Sequence, residues 1–304
     1  MPRMPPYQVE TRVATNSGSV RPLPAARKPR TDRSPERAEK PKPNNPRRKR
    51  PTIVQSSGAS VTMRAYSTIK PFRAAIIALP RSDMAFLLEI VATDAAEIHA
   101  ARDGGADRLE LCAAIEVGGL TPSPGLVEMA RKELPIVAML RPHARSFVYS
   151  PEDRTVILRD LGWLSETEVS GIVFGALTPE GKVDIELLAE VVGRGKPVVF
   201  HRAFDAARDR DEALEDVIAA GVVRILTSGG GASALDGLPA LRRSQERAKG
   251  RVEILPGGGI RPSNAARLLK ELPTGAIHAA PFRGVLPEPS IVRAFRAGEG
   301  MSDA

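Results

Sequence analysis

The sequence predicts a (β/α)8 barrel behind a long, disordered, basic N-terminal extension. Three observations predict it. Eight short apolar runs alternate with segments that carry helix-start signals. Charge and proline divide unequally near residue 83. Glycine-rich turns follow the sixth and seventh runs, not the first.

Residues 1–83 hold 18 lysines and arginines against 5 aspartates and glutamates, a net of +13, and 13 of the 27 prolines. The remaining residues hold 26 basic against 31 acidic groups, so the basic character belongs to the first part alone. Such a composition buries too little apolar surface to offset chain entropy, and it predicts disorder. "PRRKR" (Pro46–Arg50) reads as a solvated charge run in preference to a nuclear address or a nucleic-acid patch. Val61–Leu79, with three basic and no acidic residues, carries a faint organelle-presequence signal. Met84 opens "MAFLLEIVA" with no leader of its own, as a chain starting there would read. The predicted units are therefore 1–83 and 84–304.

No run reaches the roughly 18 apolar residues a membrane span requires. Cys112, the one cysteine, excludes an intramolecular disulfide and gives no reason to place the chain in an oxidising compartment, so the cytoplasm is expected.

The apolar runs are Phe86–Ala92, Arg108–Ala113, Ile136–Arg141, Gly171–Leu177, Val198–Phe204, Arg224–Ser228, Val252–Leu255 and Ala276–Ala280. Between them, Ser123 before Pro124 and Ser150 before Pro151 are capping side chains followed by proline at the first helical position, where its missing N–H costs nothing. Asp94, Asp184 and Asp209 are further N-cap candidates, and Gly104, Gly221 and Gly250 stand where helices should end. Strand alternating with helix implies parallel strands, buried on both faces, and eight such units fit a closed barrel. An open doubly wound sheet would concentrate its glycine fingerprint after the first strand. The eighth unit is weak: three prolines and a short apolar stretch, Ile291–Phe295, predict a short last helix and imperfect closure.

Side chains along a barrel strand point alternately to the lumen and the helices, and the C-terminal strand ends form the reaction face. If Leu109 and Leu111 pack outward, Glu110 and Cys112 point inward. The same parity turns Glu89 inward, with Val91 beside it. Strand three offers Met139, Arg141 and His143, strand five His201, Arg202 and Asp205, strand six Thr227 and Ser228, and strand eight His278. Glu89, Glu110, Arg141, His201, Arg202 and Asp205 are the catalytic candidates. Buried charges must pair, so the alternative to a catalytic site is that Glu89 and Glu110 simply balance Arg141 and Arg202; gathered at one mouth, the cluster favours a site. His99, mid-helix, reads as a packing or surface residue.

"TSGGG" (Thr227–Gly231) and "PGGGIRPSN" (Pro256–Asn264) are candidate anion sites through Ser228, Gly229, Gly230, Gly257, Gly258 and Gly259. Glycine lets backbone N–H groups approach an anion, and the following helix adds the positive end of its dipole. No lysine stands at a strand C-terminus, which argues against a Schiff-base aldolase. There is no HExxH, paired-cysteine or nucleophile-elbow motif.

"GGADRLELC", "GGLTPSPG", "FVYSPED", "GIVFGALTPEGKVD", "FHRAFD", "RILTSGG", "SALDGL" and "PGGGIRPSN" together resemble the CutC family of copper homeostasis proteins, over Leu88 to about His278. The resemblance implies a TIM barrel, a cytoplasmic setting and a role in copper handling, and brings no reaction with it. Members often carry a second cysteine where Val91 stands. Cuprous copper favours sulfur, so Cys112, with Met139 or His201 as a second donor, is the metal candidate. Val117 stands where the family has glutamate, His143 for the second arginine of "RPR", Ser146 for aspartate, and Ala279 and Ala280 where serines are common. A metal ion or a small anionic ligand is the expected partner, a second copy of the chain is left open, and no membrane or nucleic-acid partner is expected. Three readings fit: a copper-handling binding protein, an enzyme acting on a small phosphorylated or carboxylated metabolite, and a non-catalytic interaction protein working through its basic tail.

Overall fold

The computed structural model describes residues 86–297. The expectations of disorder, targeting and an internal start in residues 1–83 and at Met84 lie outside them.

All eight apolar runs form strands: β1 (Leu87–Ala92), β2 (Arg108–Leu111), β3 (Ile136–Met139), β4 (Gly171–Phe174), β5 (Val198–Phe200), β6 (Arg224–Thr227), β7 (Glu253–Pro256) and β8 (Ala276–Ala279). Most are shorter than the apolar runs, because the polar ends of those runs peel away into loops. Arg141, His201 and Arg202 consequently lie just beyond their strands. Pairing is parallel throughout, in the order β7-β6-β5-β4-β3-β2-β1-β8. β1 closes on β8 with Glu89 opposite His278. Between β7 and β8 one bridge, Gly257 to His278, completes the ring, so the predicted weakness of the eighth unit appears as a seam.

The helices are α1 (Ala95–Asp103), α2 (Pro124–Ala130), α3 (Pro151–Glu166), α4 (Ile185–Val192), α5 (Arg210–Ala219), α6 (Leu238–Ala248), α7 (Pro262–Glu271) and the five-residue α8 (Pro289–Arg293). Every predicted side-chain cap forms: Asp94, Ser123, Ser150, Asp184 and Asp209 each accept from an amide of the first turn. At the end of α1 the left-handed residue is Gly105, not Gly104. Gly104 is needed for space, since a Cβ there would stand 2.5 Å from that of Val292 in α8.

The core has two layers. Leu88, Ile90, Leu109, Leu111, Ile172 and Phe174 face the helices. Leu87, Val91, Cys112, Val137, Met139, Val173, Val199, Leu226 and Leu255 fill the lumen. Each buried Leu or Val contributes roughly 2 kcal/mol of transfer free energy, and their packing makes the lumen a plug below an open chamber at its C-terminal mouth.

Candidate ligand-binding site

A column of charged side chains runs up the lumen. Glu253 accepts from Nε of Arg224 at 2.8 Å, and Nη1 of Arg224 lies 3.8 Å from Oε2 of Glu89. Arg108 donates to the same oxygen through Nε (2.7 Å), with Nη2 in ion-pair contact at 2.6 Å. Oε1 of Glu89 faces Nδ1 of His278 at 2.8 Å, and that nitrogen is 3.9 Å from Oε2 of Glu110. Glu89, Arg108, Glu110, Arg224 and His278 are all buried. The balance of Glu89 and Glu110 by Arg141 and Arg202 is therefore corrected. Arg108 and Arg224 share the inward parity of Glu110 and Leu226 and sit at the strand starts, closer to Glu89 than any rim arginine. That parity was readable, and confining attention to the strand ends missed Arg108, Arg224 and Glu253.

The column splits the two carboxyls. Burial alone would raise Glu89, but Arg108 and the His278 hydrogen bond hold it well below the ordinary carboxylate range. Glu110 lacks such partners; burial and the Glu89 charge push it up to about 7 against the pull of His278. Its Oε2 has no hydrogen-bond partner among the described residues. Burial would depress His278, but Glu110 and Glu89 overcome it and favour the imidazolium.

Arg141 staples the β2–α2 loop rather than pairing with a carboxylate. Nη1 donates to the carbonyls of Val117 and Gly119, both at 3.1 Å, and Nη2 to that of Ala144 at 3.3 Å. Its guanidinium lies over the Phe147 ring, 4.9 Å from the centroid. His201 is 3% exposed, and its Nδ1 accepts from the amide of Ala203 at 3.1 Å. Burial and Arg141 lower its pKa to about 3, so the ring is neutral with its hydrogen on Nε2, which finds no partner among the described residues. That tautomer disfavours His201 as a metal ligand, since an ion at Nε2 would have to displace the proton, and makes it a hydrogen-bond donor. His143 turns away to Asp153, 3.2 Å distant. Cys112 is fully buried beside Val91 and Met139. Burial and the nearby Glu110 push its thiol far above the usual range, and it does not line the chamber.

The two glycine turns differ. After β6, Asp205 fills the turn with the chain's own carboxylate. Oδ1 accepts from Thr227 Oγ1 and from the amide of Gly230 at 3.0 Å, and Oδ2 from the amide of Ser228 at 3.1 Å. The amide of Gly229 donates to Thr227 Oγ1 at 2.8 Å. Burial would raise Asp205, but these bonds and Arg202 hold it below its ordinary value. Ser228, Gly229 and Gly230 are thus corrected as binders of an external anion: their donors are spent. After β7, the amide of Gly258 faces the His278 carbonyl across the bridge between β7 and β8, and the amides of Gly259 and Ile260 donate to nothing among the described residues. Gly257 has used its amide on Thr227 at 3.0 Å. Arg202 is held by the β6 turn, with Nε on Asp205 (2.8 Å) and Nη2 on Ser228 Oγ (2.9 Å), and its Nη1 faces the β7 turn at Gly258.

The chamber between these groups is about 680 Å³. Glu110, Met139, Arg141, Phe147, His201, Arg202, Asp205, Gly258, Gly259 and His278 line it, with Arg261 and Arg283, which sequence reasoning missed. Arg261 belonged to a motif already singled out, whereas Arg283 follows the last strand with no pattern to mark it. Glu89, Glu110 and His278 also form the one group among the described residues able to offer three ligand atoms to a metal ion.

An eight-stranded parallel barrel with a polar, basic chamber at the C-terminal strand ends defines a TIM-barrel protein with an open mouth. A family model described as the CutC family matches residues 86–282, and the chain belongs to that family. A CutC family protein of Agrobacterium fabrum is 44% identical over 201 residues, covering 65% of this chain and 80% of the relative. The human copper homeostasis protein cutC homolog is 41% identical over 189 residues, 61% of this chain and 69% of its own. A crystal structure of CutC from Streptococcus agalactiae superposes with a TM-score of 0.60 at 28% identity, covering 64% of this chain and 97% of that one.

Proposed function

We propose that this protein serves copper homeostasis, the process its human relative is named for, as a cytoplasmic barrel that binds a small ligand at the chamber. The observation that carries the reading is the pair of buried, unpartnered atoms in the chamber wall, Glu110 Oε2 and His201 Nε2. A buried polar atom without a partner costs about 1–3 kcal/mol, a cost a bound ligand removes.

Copper itself has to fit the donors present. Cuprous ion wants soft sulfur, and Cys112 is a single thiol whose proton burial retains, with Val91 beside it. Glu89, Glu110 and His278 suit cupric ion in donor type. Arg108 already neutralises Glu89 and sets a positive charge beside that ion's place. The chamber therefore favours a small anionic ligand, and cupric ion at Glu89, Glu110 and His278 is the second reading. No helix of the described residues is long and apolar enough to cross a membrane.

The test is a thermal-shift and equilibrium-dialysis series on the full chain with Cu(I) under anaerobic conditions, Cu(II) and a panel of small anions. A ligand that raises the melting temperature of the wild type and not of Glu110→Gln or His201→Gln supports the chamber. Cu(I) binding that Cys112→Ala abolishes and Glu110→Gln leaves intact overturns it in favour of the thiol.

A further inference from the structure

We infer that the β7 turn, with Arg202 beside it, holds the phosphate of a small phosphate monoester whose body crosses the chamber to His201 and Glu110. This deepens the reading of the chamber as a ligand site and rests on it.

Three observations carry the assignment. The first is the pair of consecutive unspent amides of Gly259 and Ile260. Gly258 and Gly259 have φ of 101° and 67°, left-handed conformations that turn successive N–H groups into a concave cradle for an anion. α7, ten residues long, starts at Pro262 and brings the positive end of its dipole to the same place.

The second is the placement of Arg202. Asp205 and Ser228 hold Nε and Nη2, which leaves Nη1 3.5 Å from the point a Cβ on Gly258 would occupy. The guanidinium is fixed above the cradle before any ligand arrives, so little side-chain entropy is lost on binding. Arg261 and Arg283 line the same chamber with no carboxylate in ion-pair range among the described residues. Their charge matches a dianion better than a monoanion.

The third lies across the barrel. His201 Nε2 and Glu110 Oε2 are unpartnered side-chain atoms on residues 3% and 2% exposed, both in the chamber wall. Inorganic phosphate in the cradle would leave them unsatisfied. A monoester with a hydroxyl or carbonyl on its carbon chain satisfies both: His201 donates to that oxygen, and Glu110 accepts from a hydroxyl or, when protonated, donates. A chamber of about 680 Å³ admits several carbons beyond the phosphate.

Isothermal titration of the full chain in low salt, with inorganic phosphate, glycerol 3-phosphate, glycerate and glycerol, tests the inference. Glycerol 3-phosphate should bind, and more tightly than inorganic phosphate by about tenfold, the worth of one or two added hydrogen bonds. Arg202→Gln and Arg283→Gln should each weaken it by about tenfold, as loss of a charge-assisted contact does. Arg283 is exposed, so its variant does not endanger folding. Glu110→Gln should weaken glycerol 3-phosphate and leave inorganic phosphate unchanged. Absence of phosphate binding, indifference to both arginine variants, or glycerate binding as tightly as glycerol 3-phosphate overturns the inference. If phosphates fail while another ligand still binds in a Glu110-dependent way, the cradle assignment falls and the chamber reading stands. If nothing binds, both fall.

Discussion

Thr227–Gly231 and Pro256–Asn264 are two glycine turns on neighbouring strands at one mouth, similar in composition and opposite in state. The first is filled from within, its amides closed on Asp205. The second keeps the amides of Gly259 and Ile260 unspent beside Arg202 and the start of α7. A glycine-rich strand-to-helix turn therefore supplies the capacity to hold an anion, and whether that capacity is for a ligand depends on what the rest of the chain places there. One turn has become structure and the other stays available.

Removing the internal anion should break the contrast most severely. Asp205→Ala leaves the amides of Ser228 and Gly230, the Thr227 hydroxyl and Arg202 without their acceptor, and should cost about 4 kcal/mol in urea unfolding. Added acetate or phosphate should recover part of that stability, because the variant's β6 turn then resembles the β7 turn. No recovery would mean the turn collapses once emptied.

Next in size is Gly229→Ala, where a Cβ would meet the carbonyl oxygen of Gly237 at 2.4 Å from a φ of +70°. About 3 kcal/mol is expected, from backbone strain plus the clash. The matched Gly259→Ala change, with its nearest atom a side-chain carbon of Ser233 at 3.0 Å, should cost about half as much. Equal costs would show the two turns to be equally constrained.

The turns' sides should also separate by pH. Asp205 is held below its ordinary value, so its contribution is present above the unfolded carboxylate pKa of 3.8 and lost as pH falls through the folded one. Glu110 is raised, so its contribution is complete below its unfolded value of 4.5 and is lost as pH rises through about 7. His278, also raised, loses its contribution in the same direction. Glu110→Gln should therefore flatten the decline in melting temperature above pH 6 by about 3 °C and leave unchanged the acid limb, to which Asp205 and Glu89 contribute. An unchanged alkaline limb would remove Glu110 as its source. The smallest effect is expected for Arg283→Gln, within about 0.5 kcal/mol of wild type in stability, because Arg283 is exposed at the chamber rim.

The barrel was legible in the sequence because parallel strands buried on both faces read as uninterrupted apolar runs, and because Asp94, Ser123, Ser150, Asp184 and Asp209 are local signals that act within one turn of their helix. Parity also placed Glu89 and Glu110 in the lumen. Pairing was not legible. Arg108 and Arg224 displaced Arg141 and Arg202 as counter-ions because the distances that decide it run across strands, from Glu89 to residues 19 and 135 positions away. Nor could composition tell the two glycine turns apart, since the difference is one carboxylate arriving from the 3-10 turn Phe204–Ala206. The role of His201 turned on a single amide hydrogen bond from Ala203, which fixes the proton on the nitrogen a metal would need.

The barrel is laced unevenly, with four registered pairs joining β1 to β8 and a single bridge joining Gly257 to His278. Exchange of amide hydrogens should accordingly be fastest along that edge. The cradle stands on one side of it and His278 on the other, so a molecule reaching from Gly258 to His278 would act as a suture, drawing shut the one loosely stitched side of the ring as it binds.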